Sequence, residues 1–128
     1  MPILVEIAAA ELIDKITILE IKLEHIRDGA KRAKILREYD LLCATLRTEI
    51  APSEALSRLT AALKDVNAEL WRGEDAIRAE ERGATFGPEF IALARSIYRS
   101  NDQRAALKRE INALLNSAIV EEKSYADY

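Results

Sequence analysis

The sequence predicts an all-α fold: an antiparallel bundle of four helices with long third and fourth members and a short extended N-terminal arm. Three observations carry the prediction. Ala, Glu, Lys, Leu and Arg make up more than half of the 128 residues, the composition of long amphipathic helices. Apolar residues recur three and four positions apart through four long segments, which is the period of one helical face. β-Branched residues are few, and most are isoleucines that share those spacings. A hydrophobic fraction of 49% beside 32% charge excludes global disorder, and the length suits one domain over residues 1–128.

The chain opens on Pro2-Ile-Leu-Val-Glu-Ile7, a β-prone lead-in expected as an extended arm or a lone edge strand. The first helix is expected from about Ala9 to Ile26. Leu12, Ile16, Leu19, Leu23 and Ile26 form a heptad-like stripe, and Ile13, Ile18 and Ile21 add a second. A helix apolar over so much of its circumference sits centrally or is covered on two sides. Residues 16–23 also alternate like a strand, but the phase breaks between Ile18 and Leu19, which favours helix. Asp28-Gly29 is expected to end it, with Gly29 just past the helix end. The second helix is expected from about Lys31 to Glu49, with Ile35, Tyr39, Leu42 and Leu46 inward. Pro52 breaks the chain, and Ser53 is a suitable N-cap for the third helix. That helix is expected from about Glu54 to Glu81, with Leu56, Leu59, Leu63, Val66, Leu70, Gly73 and Ile77 in one stripe. Gly73 stands in core phase, where it costs about 1 kcal/mol against Ala but permits close backbone approach or a kink. Residues 82–88 form a turn, and Pro88 suits the first position of a fourth helix reaching about Ser117. Helices of roughly 30 residues are about 45 Å long, too long for a spherical domain of this size. Three arrangements accommodate them: an elongated hairpin stack, kinks, or apolar stripes shared with a second subunit.

The net charge of −3 and the scarcity of aromatics, 5%, give no basic or stacking footprint, so nucleic acid is not an expected partner. Cys43 stands alone and is expected as a small buried hydrophobe. His25 is the sole histidine, which excludes a multi-histidine metal site. No secretory leader and no uncharged stretch of membrane-spanning length is present, so no membrane association and a cytoplasmic location are expected.

Helix four contains the anomaly. Its 4-3 phase from Phe90 runs through Ala94, Ile97, Asn101, Arg104, Lys108, Ile111 and Leu115, so polar and cationic residues take central positions. Arg99 to Arg104 is polar on every face. The plain alternatives are local solvent exposure or one polar contact that fixes bundle register. The sharper reading is a polar waist inside the bundle, where Arg99, Arg104 and Lys108 meet carboxylates or an anionic ligand. Asp14, Glu20, Glu74 and Asp75 are the candidate partners, because a buried unpaired guanidinium is too costly. Glu11 and Lys15 read as a surface i,i+4 pair. Lys15 and Lys22 lie on nearly one face and either stay on the surface or point toward the waist. Trp71 is a packing anchor or a pocket wall. The two tyrosines and Lys123 of the tail Glu121–Tyr128 either fray or close over the waist. No metal set is expected: the paired Glu-x-x-Glu and Glu-x-x-Asp motifs of all-helical nucleotide pyrophosphatases are absent as a set.

Two resemblances follow from these residues. Leu12-Ile-Asp-Lys-Ile16 is loosely similar to the first helix of the all-helical chorismate mutases, which hold a dicarboxylate with cationic side chains; no catalytic position carries over. Glu11–Lys22, Leu93–Asn112 and Glu121–Tyr128 resemble, across nearly the whole chain, an uncharacterised family of small bacterial proteins, a domain of unknown function. That resemblance implies no activity, cofactor or catalytic residue. Two functions are expected from the chain as a whole. One is a self-associating interaction or structural module, a homo-oligomer such as a dimer, joined through its long stripes. The other is binding or transformation of a small anionic metabolite at the waist by Arg99, Asn101, Arg104 and Lys108, with Asp14, Lys15, Lys22, Trp71, Glu74 and Tyr125 around them. Whether the chain is an enzyme stays open.

Overall fold

The computed structural model describes residues 1–117. Four helices appear in chain order: α1 (Ala9–His25), α2 (Gly29–Glu49), α3 (Glu54–Arg82) and α4 (Pro88–Leu114). They run alternately up and down in an all-α bundle. Residues 1–7 form an exposed arm without regular structure.

α1 is the centre. It packs against all three other helices, as the two apolar stripes require. Its Leu12, Ile13, Ile16, Leu19 and Ile21 are all buried. One face meets the α3–α4 hairpin in a core of Ala10, Ile13, Leu56, Leu63 and Ile111. α2 lies outside this three-helix unit and carries no buried residue. Its inward side chains, with Leu46 and Ile50 near the core, are half-buried, and Cys43 is half-buried too rather than the buried hydrophobe expected.

Local chemistry accounts for the boundaries. Ser53 caps α3 by accepting from the Leu56 amide at 3.1 Å. Pro88 opens α4. Gly29 is not the residue that closes α1: Asp28 caps α2, accepting from the Lys31 amide at 2.9 Å, and Gly29 is the first residue of α2. The end of α1 is closed instead by Arg32, whose guanidinium donates to the carbonyls of Leu23 and Ile26. A cation on carbonyls left unpaired at a helix C-terminus replaces the glycine cap.

α3 runs unbroken through Gly73, so the glycine serves close approach rather than a kink. A Cβ there would sit 3.1 Å from Ile97 Cγ1 on α4. At 29 residues, α3 is about 43 Å long, against about 25 Å for α1. Since the His25 ring near the end of α1 lies 5.0 Å from Trp71, the last three turns of α3 and the first turns of α4 project beyond α1.

Candidate functional site

Two cations of α4, Arg104 and Lys108, lie inside the bundle against α1, whereas Arg99, expected beside them, is exposed. Asp14 is 1% exposed. Its carboxylate accepts from Arg104 Nε at 3.1 Å and from the Arg104 Nη2 group. Asn67 Nδ2 on α3 donates to Asp14 Oδ1 at 2.8 Å and to Thr17 Oγ1 at 2.9 Å. Thr17 in turn donates to the Asp14 carbonyl at 2.8 Å. One buried carboxylate thus ties α1 to both arms of the hairpin. A turn further along α4, Lys108 is 5% exposed and pairs with Glu11. Glu11 therefore serves the waist and not the surface pair with Lys15 that the spacing suggests.

The network continues to the start of α1. Ala8, the residue before the helix, has no capping side chain. α4 and the residues just past its end supply the cap across more than a hundred residues of sequence: Asn112 Oδ1 accepts from the Ala10 amide at 2.9 Å, and Ser117 Oγ accepts from the Ala9 amide at 3.2 Å. Buried amides need such partners. The polar waist thereby specifies where α1 sits along the hairpin.

Beside the waist, α1, α3 and α4 enclose a cleft of about 390 Å³. Ile18, Ile21, Leu70 and Trp71 form its apolar walls; Asn67, Glu74, Asp75, Asn101 and Arg104 supply the polar groups. Four predicted site residues, Trp71, Glu74, Asn101 and Arg104, are thus brought together, with Asp14 directly behind Arg104. Trp71 is both anchor and wall: its ring packs on His25, while its buried Nε1 has no acceptor among the described residues. The remaining candidates do not join them. Arg99 lines a separate shallow groove between α3 and α4 with Glu69 and Arg95. Lys15 is exposed and Lys22 half-buried, and neither lines the cleft. Tyr125 and the rest of the tail lie outside the described residues. The sequence reading missed Asn67, Thr17 and Asn112. Each sits one position from a core-phase apolar residue (Val66, Ile16 and Ile111), and that adjacency was the available signal.

A second polar junction holds α2 to α1 and α1 to α3. Tyr39 donates to Glu20 Oε2 at 2.9 Å, and Lys64 lies 3.4 Å from Glu20 and 2.9 Å from Glu24. The hydrogen bond to Glu20, then burial, hold the Tyr39 phenol well above its ordinary range. The bond to Glu24 raises Lys64 against the opposing effect of burial.

Among the described residues, the hairpin beyond α1 has only itself to pack on. From Ala68 to Leu107 no residue is buried. Phe86, Ile91 and Tyr98 are exposed. Phe86 and Phe90 pack edge to face at 5.3 Å at the tip. Among the described residues no group of three or more His, Cys, Asp or Glu is placed to hold a metal ion, and no helix is long and apolar enough to cross a membrane.

Comparison with known proteins gives one match. A family described as a family of unknown function (DUF6165) matches residues 3–128. No curated protein and no solved structure matches the chain.

Proposed function

We propose that this chain, which belongs to the DUF6165 family of unknown function, is a self-associating helical module in which a second copy covers the projecting half of the α3–α4 hairpin. The observation that carries this reading is the hairpin beyond Trp71, where no residue from Arg72 to Arg99 is buried. Most helical stability comes from packing an apolar face, and two helices alone leave that face half in water. Two such hairpins, one from each copy, supply the four helices of a closed bundle, and a two-fold pair is the commonest way for identical chains to close.

Ile91 and Tyr98, two turns apart on one side of α4, are the exposed large side chains best placed to enter such an interface. Ile91→Glu with Tyr98→Glu should leave helicity intact and convert the dimer to monomer in size-exclusion chromatography with light scattering. If the double variant elutes with the mass of the wild type, this hairpin face is not the contact.

A second reading, binding of a small molecule, draws on the cleft at the root of the hairpin. Its volume falls within the range of small-ligand sites, and its mixture of apolar walls with a few polar groups is the usual form of one.

A further inference from the structure

The chemistry of the cleft points to a particular class of ligand. Among the described residues Arg104 is the one cation on its wall, and buried Asp14 engages it in two-pronged fashion. Arg104 and Asp14 together are neutral. The other charged groups among the described wall residues are Glu74 and Asp75, neighbours on α3 and both exposed. Glu74 also meets Arg78 at 3.2 Å, but that pair is an exposed i,i+4 contact, a kind that contributes little and yields readily to a better-placed cation. An anion entering the cleft meets two carboxylates and a cation that a third carboxylate holds. A cation meets the two carboxylates beside an indole wall, which itself favours positive charge. Deeper in, Ile18, Ile21 and Leu70 offer only apolar surface.

We infer that the cleft binds a small organic ammonium with an apolar body, its nitrogen between Glu74 and Asp75 and its body against Trp71, Ile18, Ile21 and Leu70. This assigns the site the opposite ligand charge from the one the waist suggests in sequence. It deepens the second reading above and is independent of self-association.

Trp71 is the only tryptophan, so its fluorescence reports on the cleft alone. The full chain is titrated at constant ionic strength with three probes of similar shape: 2-phenylethylammonium, 2-phenylethanol and 3-phenylpropionate. The ammonium should give a saturable change, and the alcohol and the carboxylate should bind more weakly by roughly tenfold or more. Glu74→Gln with Asp75→Asn, both at exposed positions, should keep the far-ultraviolet circular dichroism and abolish the preference for the ammonium. Small-ligand binding without charge selection, shown by equal affinity for the ammonium and the alcohol, would overturn the inference and leave the second reading standing. Tighter binding of the carboxylate, or a preference that survives in the variant, would overturn it likewise. No response to any of the three would remove both.

Discussion

At the scale of single residues, the decisive group is Asp14. A carboxylate 1% exposed is tolerated only because Arg104 and Asn67 satisfy it. Such a pair is weak evidence of net stabilisation, since well-packed apolar residues often do as well. Its contribution here is register: it accepts only one placement of α1 along α3 and α4. Removing one partner is another matter. Arg104→Ala strands the buried charge and should cost about 3–5 kcal/mol in chemical denaturation. Lys108→Ala should cost clearly less, because Glu11 keeps 31% of its side chain in water and can be rehydrated. Equal costs would show that burial of the carboxylate is not what sets the penalty. The anomaly was legible in sequence as Arg104 and Lys108 in core phase, and Asp14 stood among the expected partners. Glu11 did not, because its spacing to Lys15 offered a local pairing that the fold bypasses. Long-range geometry, a lysine brought in from α4, overrode the neighbour four residues away.

At the scale of elements, α2 and the hairpin differ in what holds them. α2 carries no buried residue and leans on α1 through Tyr39 and Glu20. The folded state raises the Tyr39 phenol from its ordinary value of 10.0 and raises Lys64 from 10.5. Raised values mean the folded chain binds these protons more tightly than the unfolded chain. The corresponding stability is complete below about pH 10 and is lost as the pH rises past it. Thermal unfolding followed by circular dichroism should therefore show the melting temperature falling steeply on the alkaline side, and Tyr39→Phe should flatten part of that fall. An unchanged slope in the variant would rule out the phenol as the cause. In the hairpin, Gly73→Ala places a methyl 3.1 Å from Ile97. Ile97 is half-exposed and can turn aside, so the gain in helix propensity should dominate and raise stability by up to about 1 kcal/mol. A loss of stability on denaturation would mean that Ile97 is held from its outer side.

The element boundaries were nearly all legible, since caps such as Ser53 and Pro88 act through local hydrogen bonds and fixed φ. The end of α1 was not. Asp28-Gly29 fits a helix stop and a helix start equally well, and only Arg32, reaching back to Leu23 and Ile26, separates the two. The cap of α1 by Asn112 and Ser117 was illegible for the same reason: its donors and acceptors meet only after the chain has folded.

At the scale of the whole molecule, length governs the outcome. α1 is short and carries two apolar stripes, and α3 and α4 are long and apolar on one side. Among the described residues, α1 covers the hairpin only as far as Trp71. Periodicity therefore made the four helices readable while leaving open how stripes longer than the domain are covered, because the partner of a helix face is not written in the spacing of that face. A second copy is the proposed answer. Sedimentation equilibrium of the purified chain tests it most directly. A reversible dimer, with twice the 14.4 kDa mass of the chain through the micromolar range and dissociating on dilution, is the predicted result. A single species of 14.4 kDa at every concentration would contradict it.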